Sequence, residues 1–215
     1  MSLFDHSRAT RAHEAFLHHA LHGVEQLPSD LASRVIRAWS LTWSNSSFAG
    51  FNEIPISPGL DYPLLRHVND VTRVGLSLRE TTARMWDRPA DRETLLCILL
   101  LHDVDKPMLF ERADGALRGT PISTRMPHGV LGALLLAELG FPELVISTVA
   151  THATDAPFHG SAQEAFLLHY ADMISFDAAA LESGGTPFFQ RHQPLRGAVS
   201  GATSRPPGLP GTARG

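Results

Sequence analysis

The chain has 215 residues, 43% of them hydrophobic, and a formal net charge of −4, which leaves room for one domain of about 100–200 residues and an additional segment. No apolar run approaches the ~18–20 residues that a bilayer span needs, and the acidic balance supplies no global positive field for collecting duplex nucleic acid. A membrane-spanning helix and a general DNA binder are excluded on these grounds.

Met1 to Thr10 carries Asp5, His6 and Arg8 without the apolar stretch of a secretory signal, so a cytoplasmic protein is expected. From there on, apolar positions recur mostly with helical period, predicting an all-α fold. The first predicted helix, Ala9–Leu27, contains His13-Glu14-Ala15-Phe16-Leu17-His18. Its two histidines are five apart, which turns the second roughly 140° off the face that a chelating pair four apart would share. His18 and His22 are four apart, and a polar face opposite Phe16, Ala20 and Val24 accounts for them. A second helix is predicted over Asp30–Ser44, started by Ser29 or Asp30 after Pro28. Ser46–Gly59, rich in Asn, Gly, Pro and Ser, reads as a loop dividing an N-terminal helical extension, residues 1–60, from a domain over residues 61–193. Within that domain the pattern predicts helices at Pro63–Trp86, Asp91–Val104, Pro127–Leu139, Pro142–Thr154 and Ala162–Phe176, with a long loop at Lys106–Met126. Cys97, inside Leu95-Leu96-Cys97-Ile98-Leu99, reads as a buried, inert thiol. Residues 194–215 are rich in glycine and proline and lack any acidic residue, a composition that predicts a disordered tail.

The chain holds 12 histidines, and the face that each occupies decides its meaning. His67 shares a helical side with Leu64, Val71 and Val74, His128 with Leu131 and Leu135, His152 with Val145 and Val149, and Asp172 with Leu168 and Phe176. His102 and Asp103 end the apolar run Leu95–Leu101. Any one of these alone is ordinarily a satisfied core residue. Six in one small core leave buried charge at a cost of several kcal/mol for each unpaired group. Divalent metal compensates compactly, and helical bundles hold metals with inward ligands from different helices. His67, His102, Asp103 and Asp172 satisfy one ion, and His128 and His152 hold a second that shares Asp103, whose two oxygens can bridge. Two ions ~3.5–4 Å apart suit hydrolysis of a phosphate ester by an activated water. Asp103 would orient that water or take its proton. Lys106, the only lysine among 18 basic residues, is the candidate phosphate contact, with Arg66 and Arg125 as further contacts for a small anionic phosphorylated substrate. Imidazole and carboxylate suit Fe or Mn, with Ni, Co or Zn possible.

This ordered series, in the contexts Leu99-Leu100-Leu101-His102-Asp103-Val104-Asp105-Lys106, Pro127-His128-Gly129-Val130-Leu131-Gly132-Ala133 and Tyr170-Ala171-Asp172-Met173, resembles the HD superfamily of metal-dependent phosphohydrolases over roughly Pro63 to Asp177. His128 and His152 resemble its two-metal branch, which includes bacterial HD-type dinucleoside polyphosphate hydrolases. The resemblance implies an HD-domain helical bundle with extra N-terminal helices, hydrolysing a phosphomonoester or nucleotide-type substrate. Two departures stand out. Asp105 occupies a position where many relatives of this branch have a small residue, often glycine, which bears on metal charge or substrate entry. Lys106 stands where oxygenases of the superfamily commonly carry a further histidine, which disfavours oxygen chemistry. A di-iron oxygenase acting on a small organic substrate and a non-catalytic nucleotide-binding module are the alternatives. The segment before Pro63 has no counterpart in the resemblance, and a cap, a substrate wall or a homodimer surface are the roles open to it. His159 and His169 fall outside the pattern, the first in the loop Thr154–Ser161.

Overall fold

Seven consecutive residues, Leu95 to Leu101, are buried in the computed structural model of the chain, which describes residues 2–154, 156 and 159–191. A helix that is apolar all round belongs at the centre of a bundle. In chain order the helices are α1 (Arg11–Ala20), α2 (Ser29–Ser44), α3 (Leu64–Thr82), α4 (Arg92–Leu101), α5 (Lys106–Leu109), α6 (Val130–Glu138), α7 (Glu143–Thr151), α8 (Gln163–Glu182) and α9 (Phe188–Arg191). Strands β1 (Phe110–Ala113) and β2 (Ala116–Gly119) pair antiparallel between α5 and α6. The central helix α4 packs against α2, α3, α7 and α8, and α3 runs against α8. The fold is all-α, as its periodicity predicts, with one small hairpin added.

Local chemistry explains where the elements start and stop. Thr10 caps α1 by accepting the His13 N–H, while His13 Nδ1 accepts the Thr10 N–H at 3.2 Å, a reciprocal box that ties down two otherwise orphaned donors. The helix expected over Ala9–Leu27 ends at Ala20, because Gly23 takes a left-handed φ of 85° and diverts the chain into a short 3-10 turn at Val24–Gln26. Asp91 caps α4 by accepting the Thr94 N–H at 2.8 Å. The stretch expected to be a loop over Lys106–Met126 instead contains α5 and the hairpin. Asp114 and Gly115, at φ 53° and 77°, form the left-handed two-residue turn that such hairpins favour. Helix α8 runs six residues past the expected Phe176; Ala178, Ala179, Ala180 and Leu181 are strong helix formers, and Gly184 at φ 71° with the Gly185 N–H on the Ala180 carbonyl closes the end.

The N-terminal segment shares the core of the rest. Leu17, Trp39 and Phe51 belong to the same buried cluster as α4, and the Trp39 indole N–H donates to the Leu100 carbonyl at 2.8 Å. That bond satisfies one of the open carbonyls at the α4 C-terminus, immediately before His102. The expected disordered tail at residues 194–215 lies outside the described residues. Among the described residues, no helix is long and apolar enough to cross a membrane.

Candidate metal centre

Each of the six residues singled out in the sequence sits where a helix or the turn beside one delivers it inward. His67 comes from the first turn of α3, Asp172 from the middle of α8, His102 from the C-cap of α4, and His152 from the C-cap of α7. Asp103 follows in the turn after α4, and His128 lies in the turn before α6. Their donor atoms form two groups, His67, His102 and Asp172 in one and Asp103, His128 and His152 in the other, with the atoms of each group within 4.8 Å of one another. Asp103 links them. Its Oδ1 lies 2.8 Å from His128 Nε2 and 3.5 Å from His152 Nε2, while its Oδ2 lies 3.4 Å from His67 Nε2 and 3.6 Å from His102 Nε2. Asp172 Oδ1 is 3.2 Å from His67 Nε2.

The outward nitrogens explain why the Nε2 atoms converge. His102 Nδ1 lies 2.9 Å from the Leu99 carbonyl and His152 Nδ1 2.8 Å from the Val149 carbonyl, each three residues back along its helix. A carbonyl can only accept, so both rings carry their proton on Nδ1 and present Nε2 as a lone pair. His67 Nδ1 faces Ser175 Oγ at 3.4 Å, and Ser175 Oγ in turn lies 2.8 Å from the Tyr62 hydroxyl, which donates to Asp70 Oδ2 at 2.9 Å. His67 Nε2 and His102 Nε2 stand only 3.1 Å apart. Converging lone pairs beside buried carboxylates form a donor set that suits a divalent cation of borderline hardness.

Electrostatics follow the same arrangement. Burial alone would raise Asp103, but Lys106 and the imidazoles around it hold its carboxyl well below the usual range. Asp172 is likewise penalised by burial, yet its bond to His67 brings it down to about 2. Burial presses His102 down to about 4 despite Asp103 and Asp172, so its ring is neutral at pH 7. Burial and Lys106 oppose a charge on His128, and Asp105 and Asp103 together outweigh them, raising it to about 9. Burial raises the Tyr62 hydroxyl above its ordinary value.

Above the donors opens a cavity of about 330 Å³ bordered by Ile56, Ser57, Lys106, Met173 and Phe176 as well as by the polar cluster. Lys106 Nζ lies 4.0 Å from Asp103 Oδ1. The structure does not bring Arg66 there. One residue along a helix is a turn of about 100°, so beside the inward His67 it points out, bound to Glu182 at 2.9 Å and 3.6 Å from Asp70. Arg125 is also exposed and absent from the cavity wall. Its spacing of three from His128 brings no shared face, because residues 121–126 form turns rather than helix. His18 is exposed on α1, and His22 lies past that helix with its N–H on Asn69 Oδ1; neither joins a donor group. His159 and His169 border a neighbouring cavity of about 380 Å³ with Phe166 and Tyr170, on the far side of His152. Cys97 is buried, its thiol pushed up to about 12 by burial, which matches an inert core residue. Sequence reading missed Tyr62 and Ser175, which are ordinary residues 113 positions apart with no shared motif.

Comparison with known proteins adds family context. The family described as HD domain matches residues 64–177. Among curated proteins, the chain is similar to a dihydroneopterin 2',3'-cyclic phosphate phosphodiesterase of Methanocaldococcus jannaschii, with 28% identity over 110 residues that cover 51% of this chain and 44% of the relative. The chain therefore spans less than half the length of that curated relative. No solved structure matches it.

Proposed function

The chain belongs to the HD-domain family, and from that premise we propose that it is a metal-dependent phosphohydrolase acting on a small phosphate ester. The observation that carries this reading is Asp103, a buried carboxylate with an oxygen directed at each of two His-rich donor groups beneath an open cavity. His67, His102, Asp172 and Asp103 would hold one divalent ion, and Asp103, His128 and His152 a second. When bound, such ions supply an activated water and neutralise charge on a phosphate.

The chain's own residues account for the rest. Lys106, with its ammonium over the cavity and 15% of its side chain exposed, binds the phosphate as a compact cation with three donors. Asp103 orients the attacking water and accepts its proton. Ile56, Met173 and Phe176 give the cavity an apolar wall on one side, which fits the organic part of the ester and excludes bulk water around the reacting group. Arg66, paired with Glu182 and Asp70, and Arg125, which is absent from the cavity wall, are left out of this reading. The substrate is a phosphomonoester or a nucleotide-type phosphate ester, and the similarity to a cyclic phosphate phosphodiesterase adds cyclic phosphodiesters to the class.

A substrate panel tests the reading. The chain loaded anaerobically with Mn²⁺ is offered phosphomonoesters, nucleotides and 2',3'-cyclic phosphates, and phosphate-ester cleavage is followed by chromatography and phosphate assay. Turnover without oxygen is the expected result. No cleavage with Mn, Fe, Ni, Co or Zn, or oxygen uptake coupled to oxidation of an organic substrate, would overturn it.

A further inference from the structure

Asp105 is fully buried, and a buried carboxylate is costly unless each oxygen is used. Its Oδ2 accepts the Gly129 N–H at 2.7 Å, a task that any neutral acceptor would serve. Its Oδ1 stands 3.0 Å from His128 Nδ1, the two atoms are close but not in line for a hydrogen bond, and neither of them has a hydrogen-bond partner elsewhere. The charge is therefore spent on the imidazole.

Local backbone explains why His128 needs it. His102 and His152 end helices, so each finds a carbonyl three residues back for its Nδ1 proton, from Leu99 and Val149. His128 precedes its helix and has no such carbonyl behind it. The chain reverses at Gly129, with φ 89° and a Cβ position that would lie 2.4 Å from the Val149 carbonyl oxygen, so no side chain at 129 can take over. Asp105 meets both requirements from outside the turn: one oxygen fixes the Gly129 backbone and the other faces the His128 ring.

We infer that Asp105 is the positioning residue of the second donor group: it stands behind His128 as the acceptor for its Nδ1–H, fixes the tautomer that leaves Nε2 free for an ion shared with Asp103, and makes that nitrogen a stronger ligand. A carboxylate behind a ligating imidazole tunes metal affinity in this way. The inference rests on the reading of Asp103, His128 and His152 as ligands of one ion. Asp105 itself reaches neither cavity nor substrate.

The test is a Mn²⁺ titration of the full chain, followed by calorimetry and by electron paramagnetic resonance, for wild type and Asp105→Asn. The amide keeps an acceptor for Gly129 and removes the charge behind His128. Two ions bind the wild type as a spin-coupled pair. In the variant the first binding step is unchanged and the second weakens by about 10–100-fold, leaving the signal of isolated Mn²⁺ at concentrations that saturate the wild type. A variant that binds both ions as the wild type does overturns this inference and leaves the two-ion reading intact. A wild type that binds fewer than two ions overturns both. Should the variant not fold, histidine-ring NMR of the Zn²⁺-loaded wild type decides: a hydrogen-bonded, strongly downfield Nδ1–H on His128 is expected, and a ring protonated on Nε2 overturns the assignment.

Discussion

At the scale of single residues, Asp103 and His128 differ in what they touch, and their loss should differ accordingly. Asp103 has an oxygen on each donor group, whereas His128 Nε2 reaches only one. Replacing Asp103 with Ala is expected to abolish activity and lower occupancy of both ions; His128→Ala should empty mainly the second. Elemental analysis of the two purified variants checks this, and equal, unchanged metal content in both contradicts it. The same residues make a prediction for the metal-free protein. His128 is raised to about 9 from an ordinary 6.5, so its stabilising contribution is complete below about pH 6.5, declines above that, and is gone once pH has risen through about 9. Asp172 is lowered to about 2 from 3.8, so its contribution is complete above about 3.8 and lost as pH falls toward 2. Burial lowers His102 to about 4 from an ordinary 6.5, so stability also falls as pH drops from about 6.5 toward 4, and urea titrations in chelator should show a maximum near pH 6.5 with stability falling on both sides. A profile flat from pH 6.5 to 9 would contradict the pairing of His128 with Asp103 and Asp105.

At the scale of elements, two glycines set how closely the helices approach. A Cβ at Gly75 on α3 would lie 2.4 Å from Leu99 Cδ2 on α4, in a core where Leu99 has nowhere to go. Gly75→Ala is expected to destabilise by about 1–3 kcal/mol, as overpacking does, measured as a shift of the urea midpoint at constant m-value. At Gly129 the obstacle is backbone and the φ is left-handed, so Gly129→Ala should cost a similar amount and also displace His128, weakening the second ion more than the first. The long helices were legible because their apolar stripes repeat over many turns, and α4 because no face of it is polar. The breaks were not. Gly23 interrupts a periodic pattern without altering it, which hid the end of α1. The hairpin after α5 has four-residue strands with Glu111, Arg112 and Arg118 among them, too short and too polar to alternate. Its Asp114-Gly115 turn was the available signal.

At the scale of the whole molecule, the site is assembled from helices and turns spread between His67 and Asp172, so the sequence reveals it through the adjacent His102-Asp103 pair, the ordered series around it and the orientation of the other residues. Apolar neighbours at helical spacing mark His67, His152 and Asp172 as inward, and the bundle brings them together with His102 and Asp103; His128, expected on a helix from Pro127, lies instead in the turn before Val130, where the left-handed Gly129 follows it. Arg66 and Arg125, expected as further substrate contacts, each stand near an inward histidine in sequence, and neither borders the cavity. On a helix the adjacent residue faces elsewhere, and in a turn a spacing of three carries no shared face. The hydrogen bonds from Tyr62 through Ser175 to His67 had no sequence signature, since they depend on α3 and α8 lying side by side. Ser175→Ala is expected to leave the fold intact and weaken the ion held by His67 by up to about tenfold, at the lower end of what losing a partner behind a ligand costs, read from Mn²⁺ binding isotherms. On the proposed reading this bundle holds two ions on one shared carboxylate. Native mass spectrometry of the chain purified without chelator and loaded with Mn²⁺ tests it most directly: two ions per chain are predicted, and a chain that carries none, or stops at one under saturating metal, contradicts the account.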